Sequence, residues 1–401
     1  MSHSPNSPDL AGWIERIRGR EMPVFASTVA ALRRIIGDER ASASALAQVI
    51  LKDTPMTTKV LRLANSASFN HSRQAVNTVS RAIVVLGSAH QARTPRNPFT
   101  WQERAQMLRD ALPQAERARL IVLPMRDYYD EPRWAQAVRQ AVAENTPAAA
   151  RIALVGHFKD DTSGYLRAFP GWELIRMARQ GAIDATPIRD AYFGATPDSL
   201  DAALAPLAQH LPTATRSWLQ QFAYTPHYPA LQEEWRMLRA YRASWAGAPY
   251  PPVFVTVDAL LRCQGRVLLI RRGHAPGKGL WALPGGFVEP NDTLWQSCLR
   301  ELQEETHCTL PEAHLRTALR GQRIFDHPQR SLRGRVITQA YFFDLGQEPL
   351  PEVRGGDDAA HAEWLPQQQL GAMQDQFHDD HWHILDQFLD LSPAIHGGPQ
   401  A

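Results

Sequence analysis

Cysteine is scarce in this sequence. Three cysteines occur in 401 residues, at positions 263, 298 and 308, too few and too irregularly spaced for a disulfide framework or a zinc site. No run of about 18 apolar residues is present, and the N-terminus lacks the basic-then-apolar pattern of a secretion signal. We therefore expect a protein of the reducing cytoplasm that has no membrane span.

A large excess of either charge is also absent. The formal net charge is +2, so bulk electrostatics favour neither a nucleic-acid partner nor a membrane partner. The chain is 44% hydrophobic and 21% charged, which is typical of a globular protein, and its 401 residues predict two or three domains. The 30 prolines indicate many loops and boundaries.

The stretch that carries most of the chemistry is LPGGFVEPNDTLWQSCLRELQEETHC, at positions 283–308. In its middle, Asn291 and Asp292 offer a helix N-cap. Thr293 with Gln296 forms a weak capping box at the same place. A helix of about four turns is predicted to follow.

Three glutamates lie on one face of this predicted helix. Glu301, Glu304 and Glu305 stand at i, i+3 and i+4, and such clustering is destabilising unless a cation lies among them. Mg²⁺ is the natural candidate, because it prefers carboxylate oxygens and often also binds substrate phosphates. Before the helix, the pair Gly285 and Gly286 suits a tight turn with positive φ.

The stretch resembles the Nudix box, Gx5Ex7REUxEExGU, in which U is a bulky aliphatic residue. The aligned positions are Gly286, Asp292 in place of the first glutamate, Arg300-Glu301-Leu302, Glu304-Glu305, His307 in place of the last glycine, and Cys308 in place of the last aliphatic residue. Asp292 keeps the charge but has a shorter reach, at a position that braces the loop in the family. His307 alters the turn after the helix.

The resemblance implies a divalent-metal site and a hydrolase. Glu301, Glu304 and Glu305, helped by the Gly286 carbonyl, are expected to hold Mg²⁺, with Mn²⁺ as the alternative ion. These glutamates form the implied catalytic set with Arg300, which is expected to orient them. The general base is either Glu304 or Glu305, or it lies on a distant loop. The competing interpretation is a solvated charged helix face, which the spacing, the glycine pair and the preceding strand disfavour.

Residues 250–392 are predicted to form an α/β/α sandwich around a mixed sheet. Strands are expected at 253–261, 266–271, 315–325, 336–344 and 362–364, with a hairpin turn at 263–265 and an amphipathic helix at 376–391. The strings VTVDALL, APGKGLWALPGGFVEPNDTL, RIFDHPQRSLRGRVIT and FHDDHWHIL resemble the Nudix half of bifunctional nicotinamide-nucleotide adenylyltransferase/Nudix hydrolase proteins. That family hydrolyses ADP-ribose and similar nucleoside diphosphates, and Nudix pyrophosphatases often form homodimers.

The same resemblance implies a set of side chains that bind the nucleotide. They are Arg271, Arg272, Asp326, Arg333 and Arg335, with Arg330 as a further pocket candidate. For Arg271 and Arg272, a solvated basic turn is an equally good interpretation. His378 and His381 would share a helix face that excludes His383, which argues against a metal cluster there.

Residues 83–240 alternate short apolar strands with helices, which predicts an α/β domain with a parallel sheet. Strands are expected at 82–86, 120–123 and 151–158. The strings GSAHQARTPRNPFTWQER, PMRDYYDEPRW and GHFKDD resemble the Rossmann-like adenylyltransferase half of the same bifunctional proteins. This implies residual nucleotide binding by Arg126, Trp172, Thr186 and Arg189, although Trp172 fits a packing role equally well.

The adenylyltransferase family's GxFxPxHxGH loop is missing, and no His-x-Gly-His string occurs in this sequence. In the family that loop binds the ATP phosphates, and electrostatic stabilisation of this kind is often the largest catalytic effect. A central strand is missing with it. We therefore expect an incomplete domain in which adenylyl transfer is absent or very weak.

A helical segment, residues 10–86, stands where that loop belongs. Its apolar residues recur at helical spacing, and the string MPVFASTVAALRRIIGDERASASALAQVILKDTPMTTKVLRLANSASFN resembles the start of the HDOD domain, a helical signalling module. The segment is either a packing unit or a working interaction module. We favour packing, because a truncated helical array exposes apolar surface unless it docks on a neighbour.

The sequence thus predicts a multidomain α/β protein with three candidate functions. The leading one is Mg²⁺-dependent hydrolysis of ADP-ribose, or of a related NAD-cycle nucleotide, to AMP and a sugar phosphate. The second is a bifunctional enzyme that retains NMN adenylyltransferase activity. The third is a non-catalytic sensor of ADP-ribose-like nucleotides with an HDOD signalling segment.

Overall fold

A computed structural model describes residues 82–148, 150–156, 166–176 and 185–392. The helices predicted between residues 10 and 81 lie outside these ranges. The chain divides into two compact units, residues 1–82 with 146–182, and residues 83–145 with 183–401. The boundaries of the three predicted domains stay a prediction. Within the described ranges, no helix combines the length and apolarity that a bilayer crossing requires.

The first part of the larger unit combines two strands with seven α-helices in the described residues. In chain order these are β1 (Ala82–Leu86), α1 (Trp101–Asp110), α2 (Gln114–Arg117), β2 (Leu120–Pro124), α3 (Glu131–Glu144), α4 (Ala185–Gly194), α5 (Leu200–Leu204), α6 (Thr213–Phe222) and α7 (His227–Ser244). Short 3₁₀ helices occupy Pro197–Ser199 and Ala205–His210. β1 and β2 pair as a two-stranded sheet.

The smaller unit has one described sheet. Strands β3 (Ala153–Gly156) and β4 (Glu173–Arg176) pair in parallel, with Ala153 opposite Glu173. The strands predicted at 82–86, 120–123 and 151–158 therefore occur close to the expected positions.

Helix α7 is fixed at its start by buried tyrosines. The Tyr228 hydroxyl donates to the carbonyls of Tyr192 and Ala195, at 2.5 and 3.0 Å. The Gln232 amide donates to the same Ala195 carbonyl at 2.6 Å. Buried aromatic and aliphatic side chains, including Phe193 and Phe222, surround these bonds. The packing therefore sets the direction of α7 towards the C-terminal domain.

The C-terminal region is built on a seven-stranded mixed sheet. Its elements are β5 (Val253–Cys263), β6 (Arg266–Arg272), β7 (Trp281–Ala282), β8 (Gly285–Phe287), α8 (Leu294–Thr306), α9 (Glu312–Ala318), β9 (Leu319–Phe325), β10 (Arg335–Asp344), β11 (Ala359–Pro366), α10 (Gln367–Leu370), a 3₁₀ helix (Gln374–Gln376) and α11 (His381–Leu389). The strand order is β11-β6-β5-β10-β9, with β7 on β6 and β8 on β5. β5 and β10 are parallel, whereas the other pairs are antiparallel.

Both faces of this sheet are covered, as a three-layer sandwich requires. Side chains alternate between the faces of a strand. On β5, Ala259 and Leu261 pack with Cys298 of α8 on one face. Leu260 packs with Leu385 of α11 on the other face. The central strands are thus buried on both sides, which explains their nearly continuous apolar sequence.

Two predicted elements need correction. The strand expected at 315–325 begins only at Leu319, because residues 312–318 form helix α9, whose Leu315 and Ala318 are buried. The helix expected at 376–391 begins at His381. The predicted hairpin turn is confirmed, with Gln264 and Gly265 at φ of +49° and +69°.

Candidate active site

Helix α8 begins at a true capping box. The Thr293 hydroxyl accepts from the Gln296 amide at 3.2 Å, and the Gln296 side chain accepts from the Thr293 amide at 2.9 Å. The N-cap is therefore Thr293, and the prediction of Asn291 or Asp292 was wrong. Asp292 has a different contact: its carboxylate accepts from Ser297 at 3.1 Å and lies 3.3 Å from Arg300 Nε.

Helix α8 ends on a residue in the left-handed conformation. His307 has φ +53°, and its amide donates to the Gln303 carbonyl at 2.8 Å. L-residues other than glycine rarely adopt this conformation, which costs roughly 1–2 kcal/mol. The turn expected of a glycine is therefore made by histidine, whose ring nitrogen Nδ1 lies 3.0 Å from the Arg354 carbonyl.

The glycine pair serves close approach rather than positive φ. Gly285 and Gly286 lie in strand β8, and neither is among the positive-φ glycines of the described chain. A Cβ on Gly285 would lie 2.2 Å from the Val257 carbonyl. A Cβ on Gly286 would lie 2.6 Å from the Glu301 carboxylate. The predicted tight turn was wrong, and the glycines instead bring backbone against the helix carboxylates.

Arg300 holds the carboxylates of α8 together. Its Nη1 lies 2.8 Å from both the Glu301 and the Glu304 carboxylate oxygens. Its Nη2 donates to the Phe287 carbonyl at 3.2 Å, which ties the helix to strand β8. Glu301 is buried, whereas the Glu304 side chain is 46% exposed. Two of the three predicted metal ligands, Glu301 and Glu304, thus already lie around the positive charge of Arg300.

Glu305 is the third carboxylate and is buried beside strand β8. It accepts a hydrogen bond from the Gly285 amide at 2.8 Å. Burial raises the pKa of Glu305 to about 8, and this bond only partly opposes the effect. Burial also raises the pKa of Glu301, opposed by the Arg300 charge. Both carboxyl groups would therefore gain from an additional cation.

The carboxylates of Glu301, Glu304 and Glu305 suit a hard divalent cation, although in the structure they do not yet point at one common position. In the part of the chain that the structure describes, no three His, Cys, Asp or Glu side chains form a ready metal cluster. The contacts of α8 explain this, because Arg300 lies between Glu301 and Glu304 while Glu305 binds the Gly285 amide. Three carboxylates on one helix face, packed against glycine backbone, still supply the oxygen ligands that Mg²⁺ prefers.

A methyl group at position 286 should disturb this arrangement. We expect Gly286→Ala to weaken divalent-metal affinity by roughly tenfold or more, because the new Cβ displaces the Glu301 carboxylate. Mn²⁺ titration followed by electron paramagnetic resonance measures the effect. Gly247→Ala is the matched control, since a Cβ at position 247 would meet no neighbouring atom within 4 Å. Equal Mn²⁺ affinity in both variants would contradict the assignment.

Arg271 and Arg272 are neighbours on β6 with different surroundings. Arg271 lies over the Trp281 ring, at 3.9 Å from its centroid, and donates to the Gly279 carbonyl at 2.7 Å. Arg272 donates to the Pro276 carbonyl at 2.8 Å. Burial lowers the pKa of Arg272, while the nearby Asp379 and Glu305 charges oppose this. Arg272 therefore lies close enough to Glu305 of α8 for the two charges to interact.

The candidate binding residues between β9 and the start of β10 have different partners. Arg333 lies over the Phe287 ring at 5.0 Å, next to the glycine pair, and its buried Nε has no hydrogen-bond partner in the described structure. Arg335 instead donates to the Asp326 carbonyl. The structure therefore brings Arg333 to the α8 site, whereas Asp326 and Arg335 contact each other.

Arg330 forms a buried ion pair with Asp380. Its guanidinium makes two bonds to the Asp380 carboxylate, at 2.8 and 2.7 Å, and both side chains are buried. Two of its three guanidinium nitrogens thus bind this carboxylate, and a role for Arg330 in lining the nucleotide pocket stays a prediction. The pair joins the β9–β10 loop to the start of α11.

The histidines near α11 have separate partners. Burial lowers the pKa of His381 to about 3, so the ring is neutral, and its Nδ1 accepts from the Leu283 amide at 3.0 Å. His383 packs edge-on against Tyr129, with ring centroids 4.7 Å apart. His378 precedes the helix and is buried. His381 thereby holds the segment that leads into the glycine pair.

The predicted nucleotide-binding residues of the middle region each have partners of their own in the structure. Arg126 lies over the Trp382 ring at 4.8 Å and donates to Ser392 at 2.9 Å, so its guanidinium contacts the C-terminal domain. Arg189 donates to the Thr186 hydroxyl at 3.3 Å. In the smaller unit, Trp172 stacks on Phe169 at 4.8 Å, as a packing role requires. Nucleotide binding by these side chains stays a prediction.

Two functional candidates were missed by sequence reasoning. Asp258 is buried in β5 and accepts from the Thr338 hydroxyl at 2.6 Å. Its signal was a lone carboxylate within the apolar string VFVTVDALL. Glu234 of α7 accepts from the Gly277 amide at 3.2 Å. It carried no sequence signal for this site, because it lies before the start of the predicted Nudix domain at residue 250.

Glu234 makes stability depend on pH. Burial raises its pKa to about 7, opposed by the Gly277 hydrogen bond, with Asp379 and Arg272 as the other charges that act on it. The folded state thus binds more protons than the unfolded state between the unfolded value near 4.5 and about 7, so stability falls as pH rises through this window. We expect Glu234→Gln to reduce that fall by roughly 1–3 kcal/mol between pH 5 and pH 8. Urea unfolding at both pH values measures it, and an unchanged pH dependence would refute the assignment.

Comparison with protein families agrees with this architecture. Residues 250–388 match the model described as NUDIX domain, and residues 22–93 match the model described as HDOD domain. The C-terminal region is therefore a Nudix domain, and the expected HDOD resemblance is confirmed. Of the HDOD match, only residues from 82 onward are described.

Individual relatives point to the same combination. A nicotinamide/nicotinic acid mononucleotide adenylyltransferase of Acinetobacter baylyi is 29% identical over 163 residues, which are 40% of this chain and 82% of the relative. An ADP-ribose pyrophosphatase of Methanocaldococcus jannaschii is 38% identical over 112 residues, 28% of this chain and 60% of the relative. The chain thus spans less than two thirds of the archaeal protein.

A solved structure resembles most of the chain. It is a bifunctional NMN adenylyltransferase/ADP ribose pyrophosphatase from Francisella tularensis, 29% identical, with a TM-score of 0.71 over 84% of this chain and 94% of that one. A second crystal structure of this type is complexed with AMP and a Mn ion. The predicted multidomain fold, with a Nudix domain and a nucleotidyltransferase-like region, is therefore confirmed.

Proposed function

We propose that this protein is a divalent-metal-dependent Nudix hydrolase that cleaves the diphosphate of ADP-ribose or a related nucleotide. The observation that carries the proposal is the arrangement of Glu301, Glu304 and Glu305 on one face of α8, against the backbone of Gly286. The similarity to ADP-ribose pyrophosphatases supports the choice of substrate.

The glutamates of α8 would hold Mg²⁺, or Mn²⁺, together with the Gly286 carbonyl. When bound, the ion supplies neutralisation of the diphosphate charge and activation of the attacking water. Arg300 orients Glu301 and Glu304, with which it forms ion pairs. Its contact with the Phe287 carbonyl keeps these carboxylates facing strand β8.

The reaction hydrolyses the phosphorus–oxygen–phosphorus linkage of the diphosphate. Either Glu304 or Glu305 takes a proton from the attacking water as its oxygen bonds to phosphorus, and the bond from that phosphorus to the bridging oxygen breaks. From ADP-ribose the products are AMP and ribose 5-phosphate. Arg272, whose charge acts on Glu305, and Arg333, which lies over the Phe287 ring, would compensate the negative charge of the diphosphate.

Product analysis tests this proposal. The full chain is incubated with ADP-ribose and Mg²⁺, with and without excess EDTA, and the products are separated by ion-exchange chromatography. We expect AMP and ribose 5-phosphate in equal amounts, and neither product with EDTA. Tight binding of ADP-ribose without turnover would instead favour the nucleotide sensor.

A second candidate is retained adenylyl transfer, which the similarity to an adenylyltransferase favours. The missing His-x-Gly-His string argues against it, because the ATP phosphates then lack their usual ligands. Formation of a homodimer and a cytoplasmic location remain expectations that accompany the Nudix hydrolase proposal.

A further inference from the structure

Helix α7 lies before the Nudix domain in sequence but contacts it along one face. The family match begins at residue 250, whereas α7 spans His227–Ser244. The residues that contact the C-terminal region are Glu234, Tyr241, Arg242 and, just after the helix, Trp245. Their spacing places them on the same side of a helix.

The first contact fixes the loop between β6 and β7, residues 273–280. Glu234 accepts from the Gly277 amide at 3.2 Å, while Arg272 donates to the neighbouring Pro276 carbonyl at 2.8 Å. Gly277 has φ +74°, and a Cβ there would lie 2.3 Å from Nδ1 of His378. The loop is therefore confined by α7, by β6 and by the histidine, and it leads directly into β7 and the glycine pair.

The second contact fixes the loop between β9 and β10, residues 326–334. The Arg242 guanidinium donates to the Leu332 carbonyl, with a distance of 3.1 Å from Nε. Leu332 directly precedes Arg333, which lies over the Phe287 ring at 5.0 Å. The α7 helix thus holds the backbone beside an arginine of the α8 site.

An aromatic chain connects the two contacts to the site. Tyr241 and Trp245 pack against Phe254, with ring centroids 5.7 and 5.3 Å apart. Phe254 packs in turn on Phe287, at 5.9 Å. Phe287 follows the glycine pair and supplies the carbonyl that binds Arg300.

We propose that α7 is a working part of the Nudix site, in which Glu234 and Arg242 are positioning residues for the loops 273–280 and 326–334. The functional part of this proposal rests on the proposed hydrolysis of ADP-ribose. The first loop directly follows Arg272, and the second contains Arg333. Loss of the contacts with α7 should therefore weaken substrate binding more than it slows the bond-breaking step.

The test compares four variants of the full chain. Glu234→Ala and Arg242→Ala remove the contacts, whereas Glu233→Ala and Arg236→Ala replace exposed residues of the same helix. Hydrogen exchange measured by mass spectrometry should become roughly tenfold faster at 273–280 in the first variant and at 326–334 in the second. KM for ADP-ribose should rise about tenfold in both, with kcat changed less than threefold, since one lost bond to a charged group is worth about this factor.

A conservative variant separates positioning from general destabilisation. Glu234→Gln keeps an oxygen acceptor for the Gly277 amide, so its exchange and KM should stay near the wild-type values. If folded Glu234→Ala and Arg242→Ala match their controls in both exchange and KM, the proposal is wrong. If the wild type does not cleave ADP-ribose, the proposed function fails, and the exchange rates still decide whether α7 holds the loops.

Discussion

Replacing Glu304 by glutamine is expected to reduce kcat for ADP-ribose hydrolysis by at least about a hundredfold. The substitution keeps the size of the side chain but removes the charge that pairs with Arg300 and that would bind the metal. Loss of a residue that merely supports a metal ligand costs about 10–100-fold, so loss of a ligand should cost at least the upper value. The measurement is steady-state AMP release at saturating Mg²⁺.

The control for this experiment is Glu312→Gln. Glu312 also pairs with an arginine four residues away, Arg316, but it lies on α9 and its side chain is 52% exposed. We expect its kcat to stay within twofold of the wild type. Undiminished turnover in Glu304→Gln would mean that the carboxylates of α8 are a solvated charged face rather than the reaction centre.

The largest effect on stability is expected from Arg330→Ala. Arg330 and Asp380 form a two-bond ion pair in which both side chains are buried, at 5% and 2% exposure. Removing the arginine leaves a buried carboxylate without its partner, which costs about 3–5 kcal/mol. Urea unfolding followed by tryptophan fluorescence measures the change in the free energy of unfolding.

Two further variants make this prediction specific. Arg316→Ala breaks the exposed pair with Glu312, whose side chains are 62% and 52% exposed, and should cost less than about 1 kcal/mol. The double variant Arg330→Met with Asp380→Leu should be more stable than Arg330→Ala, because no unpaired charge remains. A cost below about 1 kcal/mol for Arg330→Ala would show that Asp380 finds another partner or water.

The local chemistry of the site could be predicted because it lies within one short stretch. The spacing of Glu301, Glu304 and Glu305 defines a helix face, and the capping box of Thr293 and Gln296 defines where that helix begins. The hairpin at residues 263–265 is equally local. Such features depend on backbone geometry over a few consecutive residues, so the local sequence is enough to predict them.

Contacts between distant segments could not be predicted in the same way. Nothing local indicates that Glu234 meets Gly277, or that His381 accepts from the Leu283 amide. Gly286 was expected to supply a positive φ, whereas its role depends on the approach of Glu301 from another element. These arrangements follow from packing of the sheet and helices, and that packing also placed Arg330 against Asp380.

The central claim is that the Nudix site is the working catalytic centre of this chain and that adenylyl transfer is absent or very weak. One preparation, supplied with Mg²⁺, is divided and given either ADP-ribose alone or NMN with ATP, and both reactions are followed by chromatography. The account predicts AMP and ribose 5-phosphate from the first mixture and no NAD from the second. Formation of NAD without cleavage of ADP-ribose would contradict it and would move the active centre to the middle region.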